Sequence, residues 1–118
     1  MQREIKQLSL KKDEMLIFES DTNNKSLYLV KEGSLEVTKI KPSGRTLLGH
    51  IHAGELVGEM ALVDDAPRSA TVKALTDCVV IEIPKEQLDS ILAKQPPWLK
   101  LLLQNLVKRL RNTSLKVK

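Results

Sequence analysis

Residues 58–72, GEMALVDDAPRSATV, contain an acid near the start and a base in the second half of a mostly small and apolar stretch. Gly58 precedes a short run, EMAL, that is able to start a helix, and a helix start offers free N–H groups to a phosphate. Arg68 adds a permanently charged fork that matches phosphate oxygens, and Ser69 adds a hydroxyl beside it.

Glu59 is a poor partner for phosphate, but as an acceptor it is able to hold a sugar hydroxyl, as acidic residues do for ribose in dinucleotide sites. Phosphate donors together with one ribose acceptor indicate a nucleotide whose phosphate and ribose 2′-OH lie close together. From these residues alone the alternative stays open that the segment is a surface loop with an incidental Glu–Arg pair.

Short runs rich in β-branched residues and leucine flank this segment between Met15 and Ile83. Turn-forming sequences such as KEGS and KPSGR separate the runs, and Gly33 and Gly44 lie where hairpin turns demand positive φ. Short strands at fairly even spacing predict an antiparallel sandwich or barrel. Residues 1–10 are compatible with a short helix or an extended arm.

The hydrophobic period lengthens after Ile83. PKEQLDSILAK has proline where the first turn of a helix tolerates it, and a second helix is predicted after the Pro96–Pro97 break. One face of this second helix carries an amphipathic seam at spacings of 4, 3 and 4. The seam is formed by Leu99, Leu103, Leu106 and Leu110.

These patterns predict a mainly β fold with flanking helices, an antiparallel β jelly-roll barrel capped by C-terminal helices. We expect a single domain over residues 1–118, with the barrel at about 12–83 and the helices at about 84–115.

Composition and charge narrow the class of protein. Cys78 is the single cysteine and has no partner for an internal disulfide; it is expected to be a buried apolar filler. Residues 1–14 have no apolar stretch typical of a signal peptide, and no run is long enough to span a membrane, so a cytoplasmic protein is predicted.

All of the net positive charge lies in the last quarter of the chain. Residues 1–89 hold twelve Lys and Arg against fifteen Asp and Glu, whereas residues 90–118 hold seven Lys and Arg and no acid. Such a tail is typical of a basic helix end or a solvated linker. Contact with nucleic acid would be electrostatic and not sequence-specific.

The segment closely resembles the phosphate-binding cassette of cyclic nucleotide-binding domains, in which Gly-Glu is followed by small or apolar residues, a short loop and Arg-Ser/Thr/Ala-Ala. The resemblance spans nearly the whole chain. SLYLVKEGSLEVTKI is similar to the early hairpin of that family, HAGELVGE to its approach to the cassette, and TDCVVIEIPKEQLDSIL to its last strand and following helix.

This resemblance implies a non-catalytic sensor that binds cAMP or cGMP, without a cofactor or a metal, and that relays binding through its C-terminal helices. Glu59 would bind the ribose 2′-OH, Arg68 the cyclic phosphate, and Ser69 a phosphate oxygen or the exocyclic amine of a guanine. Gly58 would begin the phosphate cradle that the N–H groups of Met60 and Ala61 complete. The apolar wall against ribose and base would be formed by Val37 and Leu48.

Two departures from the family pattern bear on this assignment. Ser20 stands where the family usually has a glycine, and the chain stops at Lys118, about where a base-reading helix would lengthen. We therefore expect poor discrimination between cAMP and cGMP, with Trp98 and Asn105 as the first places to look for a base reader. The chain is either a stand-alone sensor or a piece of a longer protein.

Other readings stay open at this point. The natural ligand could be another nucleotide such as cyclic di-GMP. His50 and His52 alternate as in cupin-like metal enzymes, but the sequence has only two histidines, so a three-histidine site is impossible. The leucine seam could pair two chains into a homodimer or pack against the barrel. Trp98 is expected to anchor its helix to the barrel.

Overall fold

The structure is a computed structural model that describes the backbone of residues 3–117 and the side chains of residues 3–110. Eight strands come first in the chain: β1 (Lys6–Leu10), β2 (Met15–Ile17), β3 (Leu27–Glu32), β4 (Ser34–Lys41), β5 (Gly44–His52), β6 (Leu56–Val57), β7 (Thr71–Ala74) and β8 (Cys78–Ile83). A short 3-10 helix (Glu59–Leu62) lies between β6 and β7, and two helices follow β8, α1 (Lys85–Ala93) and α2 (Pro97–Val117).

The strands form two four-stranded antiparallel sheets, with the orders β1-β8-β3-β6 and β2-β7-β4-β5. Apolar side chains from both sheets meet in one core, because alternate residues of each strand point inward. The most buried members of this core are Ile17, Val30, Leu35, Ala74 and Val80. The predicted jelly-roll fold with C-terminal helices is thus confirmed, although the two sheets do not close into a continuous barrel.

The strands begin earlier than the predicted barrel start at about residue 12. Residues 6–10 form β1, which pairs with β8 along its whole length, from Lys6 opposite Glu82 to Leu10 opposite Cys78. The extended arm is therefore the correct alternative for this segment. Its polar sequence gives little local strand signal, and the pairing with β8 is a tertiary contact.

Tight packing surrounds the predicted turn glycine Gly33. Its φ is +88°, and a Cβ there would lie 2.4 Å from the carbonyl oxygen of Asp77. The thiol of Cys78 is buried beside it and donates to the carbonyl of Ser34 (3.1 Å). The prediction of Cys78 as a buried filler is confirmed.

The predicted seam of α2 is only half correct. Leu99 and Leu103 are partly buried, but Val107, at 6% exposure, is the most buried of the α2 residues whose side chains are described. Leu106 and Leu110 are 48% and 55% exposed. The buried stripe therefore follows a spacing of 4 and 4, and α2 packs against the 3-10 helix.

Candidate functional site

Gly58 fixes the start of the segment that the sequence singled out. Its φ of 85° is left-handed, and a Cβ there would lie 2.8 Å from both Arg68 Nη1 and the carbonyl oxygen of Ser26. Only glycine fits both the backbone conformation and the space. The predicted helix start is present as one turn of 3-10 helix, in which the N–H of Ala61 already donates to the carbonyl of Gly58 (3.2 Å).

The backbone of Arg68 is held against the turn that follows β2. Its N–H donates to the carbonyl of Asp21 (2.9 Å), and its own carbonyl accepts from the N–H of Ser20 (2.7 Å). Ser20 adopts φ 71°, a conformation that favours the glycine usual in this turn. The turn therefore forms with serine in place, and it fixes where the arginine enters the fold.

Three protein acceptors hold the guanidinium of Arg68. Nη2 donates to Asn24 Oδ1 (3.0 Å) and to the carbonyl of Ser26, and Nη1 donates to the carbonyl of Gly58 (3.4 Å). Nε is buried and has no acceptor among the described residues. An unpaired buried donor is costly, so an acceptor that reached this N–H would stabilise the site.

Burial also sets the electrostatics of this arginine. Loss of solvent lowers the pKa of the Arg68 guanidinium, and the charges of Tyr28, Asp21 and Glu59 act in the opposite direction. A cation that has lost part of its water favours an anionic partner more strongly than an exposed one does.

A cleft of about 670 Å³ lies next to this arginine. The cassette forms one side, and β4 and β5 form the other. The ladder between these strands shifts at Val37 and Thr38, where Leu48 is the extra residue opposite them. All eight residues predicted for the site line this cleft: Val37, Leu48, Gly58, Glu59, Met60, Ala61, Arg68 and Ser69.

The cleft contains further residues that sequence reasoning missed. Lys39 and Lys41 follow Val37 at alternate positions of β4, so the period of two gave a signal that could have found them. Leu110 of α2 also lines the cleft, although the sequence placed it in a packing seam.

The loop between the 3-10 helix and Arg68 is tied down from two sides. Lys25 donates to the carbonyls of Asp65 (2.8 Å) and Ala66 (3.2 Å). Lys85 at the start of α1 pairs with the carboxylate of Asp65 (2.9 Å), which lowers the pKa of that carboxyl group. The cassette loop is thereby connected to the first helix after the sheets.

Two other candidate features lie apart from this chemistry. The rings of His50 and His52 stack with centroids 6.3 Å apart, and His52 Nδ1 lies 3.1 Å from Ser34 Oγ. The side chains that the structure describes include no group of three His, Cys, Asp or Glu suited to a metal ion.

Trp98 is 62% exposed, so its expected role as a helix anchor is wrong, and neither Trp98 nor Asn105 lines the cleft. Within the described chain, no helix combines the length and apolar character needed to cross a membrane.

The family model and the curated relatives that match this chain belong to the same family. The family model described as "Cyclic nucleotide-binding domain" matches residues 7–95. The "cAMP-activated global transcriptional regulator CRP" of Haemophilus influenzae is 35% identical over 94 residues, which cover 78% of this chain and 42% of that protein. The chain thus spans about two fifths of the length of such curated relatives.

Solved structures agree in fold. The catabolite activator protein of Thermus thermophilus superposes with a TM-score of 0.78 at 25% identity, covering 96% of this chain and 53% of that one. The cAMP-bound form of the EAL enzyme Bd1971 superposes with a TM-score of 0.73 at 30% identity, covering 92% of this chain and 29% of that one.

Proposed function

Because this chain belongs to the cyclic nucleotide-binding domain family, we propose that it binds a cyclic mononucleotide, cAMP or cGMP, in the cleft between the cassette and strands β4 and β5. The observation that carries the proposal is Arg68, whose partly buried guanidinium lines this cleft and keeps a donor that has no acceptor among the described residues. The names of the relatives, a cAMP-activated regulator and a cAMP-bound enzyme, support the ligand class.

In this proposal the phosphate pairs with Arg68, and Ser69 contacts a phosphate oxygen or a guanine amine. Glu59 accepts from the ribose 2′-OH, and its charge lies close enough to act on Arg68. Gly58 and the N–H groups of Met60 and Ala61 form the phosphate cradle, with the Ala61 N–H exchanging its bond to Gly58 for one to the ligand. The base packs on the wall of Val37 and Leu48.

We further propose that binding is relayed to α1 and α2 and that the ligand is not transformed. Gln104 of α2 donates to the carbonyl of Leu62 (3.0 Å). Leu62 is the last residue of the 3-10 helix and Glu59 is the first, so α2 is bonded to the same short helix that carries Glu59. Leu110 of the same helix lines the cleft. A ligand that contacts one arrangement of these helices better than another shifts the population toward that arrangement.

The wider assignment is part of the same proposal. Residues 1–118 act as one cytoplasmic ligand-sensing domain, without a metal and without sequence-specific contact to nucleic acid. The chain forms a homodimer through α2.

Parallel calorimetric titrations of cAMP, cGMP and cyclic di-GMP into the purified chain test the ligand. We expect the first two to bind with dissociation constants within about tenfold of each other, a gap below about 1.4 kcal/mol, since the proposed contacts address phosphate and ribose. Binding of cyclic di-GMP alone would replace the proposed ligand by a dinucleotide. Absence of binding by all three would overturn the proposal.

A further inference from the structure

A chain of hydrogen bonds leads away from Arg68 into the protein. Nη2 of Arg68 donates to Asn24 Oδ1 (3.0 Å), Asn24 Nδ2 donates to the hydroxyl of Tyr28 (3.0 Å), and that hydroxyl donates to Glu82 Oε2 (3.2 Å). These bonds join the cassette, the loop before β3, β3 itself and β8. Asn24, Tyr28 and Glu82 do not line the cleft.

The far end of this chain is a buried carboxylate. Glu82 is 6% exposed, and Tyr28 beside it is 3% exposed. Glu82 Oε2 also accepts from Ser26 Oγ (2.8 Å), and Arg3 Nη1 lies 3.5 Å from it. A buried carboxylate is tolerated only when such partners compensate its lost hydration, so the charge is fixed in place.

This carboxylate and the backbone of the loop before β3 together set the directions of the bonds in the chain. An ionised carboxylate only accepts, so the Tyr28 hydroxyl must donate to Glu82. The tyrosine oxygen then accepts, and the amide nitrogen of Asn24 is turned toward it. The amide oxygen of Asn24 is consequently turned toward Arg68, where it accepts from Nη2, and the N–H of Ser26 donates to the same oxygen (3.0 Å) and helps to hold it there.

We infer that Asn24, Tyr28 and Glu82 are positioning residues that orient the Arg68 guanidinium for the phosphate of the ligand. The inference rests on the proposed function. Both Nη2 protons are used by Asn24 and Ser26 and one Nη1 proton by Gly58, which leaves Nε–H and the second Nη1–H for the ligand. Affinity for a cyclic nucleotide then depends on a carboxylate that the ligand does not touch.

Calorimetry with cAMP on a small set of variants tests this positioning role. Asn24→Ala removes the acceptor of a charged donor and should weaken binding by about tenfold. Tyr28→Phe keeps the buried ring, removes the acceptor of the Asn24 amide nitrogen, and should weaken binding by about three- to tenfold. Asn23→Ala, an exposed neighbour in the same loop, serves as the matched control and should bind like wild type.

Nitrogen-15 NMR of the arginine Nε–H groups separates positioning from a general loss of stability. The Arg68 signal, identified by its absence in Arg68→Lys, should shift in Asn24→Ala and Tyr28→Phe before any ligand is added, and should stay in place in Asn23→Ala. Wild-type affinity in both Asn24→Ala and Tyr28→Phe, or weakened binding with an unmoved Arg68 signal, would overturn the inference. If the wild-type chain binds no cyclic nucleotide, the proposed function fails, and the NMR shifts still decide whether the network orients Arg68.

Discussion

Glu59 is the residue whose proposed role is easiest to separate from that of its neighbours. It lines the cleft on the first turn of the 3-10 helix, and the proposal gives it the ribose 2′-OH. Glu59→Gln replaces a charged acceptor by a neutral one and should weaken cAMP binding by about one to two decades. The loss should nearly vanish for 2′-deoxy-cAMP, which lacks the donor. Equal binding of cAMP and its 2′-deoxy analogue by the wild-type chain would remove Glu59 from this role.

Tyr28 gives a pH-dependent prediction at the same scale. Burial raises the pKa of its phenol above the ordinary 10.0; the hydrogen bond from Asn24 opposes this, and the charge of Glu82 adds to it. Since the folded pKa lies above the unfolded one, this contribution to stability is complete below the unfolded pKa and is lost as pH rises through the folded value. Tyr28→Phe has no phenol to ionise, so its stability should not fall with pH for this reason.

The free energy of unfolding of wild type and Tyr28→Phe should therefore converge above about pH 10, while wild type is the more stable at neutral pH. Denaturant titrations of both chains across this range measure the difference. A difference that stays constant with pH would mean that Tyr28 is not the group that resists ionisation in the fold.

Part of the cleft was open to prediction from a local pattern. Gly58, Glu59 and Arg68 lie in one short motif, whereas Val37 and Leu48 were predicted from the resemblance to the family. Asn24, Tyr28 and Glu82 gave no such signal, since they lie far apart in the sequence and meet only after β3 and β8 pair. Polar networks between distant segments depend on register, which no local pattern contains.

At the scale of elements, the two sides of α2 differ in burial, and this difference can be tested by substitution. Val107 is 6% exposed and Leu106 is 48% exposed, although the sequence pattern favoured Leu106 as the buried residue. Val107→Ala should lower the free energy of unfolding by about 2 kcal/mol through lost burial and a cavity. Leu106→Ala should change it by less than about 0.5 kcal/mol.

Urea titrations at a concentration where sedimentation shows monomers measure both values. The reverse order, with Leu106 the costlier substitution, would mean that α2 packs through the face that the sequence predicted. The periodicity of α2 identified a helix correctly, but leucines at both faces left its rotation undetermined. Packing against the 3-10 helix chooses the face, and that contact is not visible in the sequence of α2.

The first strand shows the same limit. β1 is polar on its exposed side, and only Leu8 and Leu10 mark its inner side. Its place beside β8 follows from an available sheet edge rather than from its own propensity. The short apolar runs of β3, β4 and β8, by contrast, predicted strands well because turn sequences with glycine separate them at fairly even spacing.

For the whole molecule, the outer face of α2 is the feature that favours a second copy. Among the described side chains of this helix, four large apolar ones that do not line the cleft are more than 45% exposed, and in a solvated monomer such a stripe is unfavourable. They are Trp98, Leu101, Leu102 and Leu106. Sedimentation equilibrium should detect a dimer at micromolar concentration, and Leu102→Glu with Leu106→Glu should yield a folded monomer because it places carboxylates in the interface. A wild-type chain that stays monomeric at all concentrations would remove the dimer from the proposal.

The central claim concerns the anion that Arg68 binds, and calorimetric titration of cAMP into wild type and Arg68→Ala tests it most directly. Arg45→Ala, an exposed arginine on β5 outside the cleft, is the control, and circular dichroism checks that all three chains fold. We expect Arg45→Ala to bind like wild type and Arg68→Ala to bind at least about a hundredfold more weakly, because it leaves the phosphate without its charge-assisted donors. Wild-type affinity in a folded Arg68→Ala chain would contradict the account.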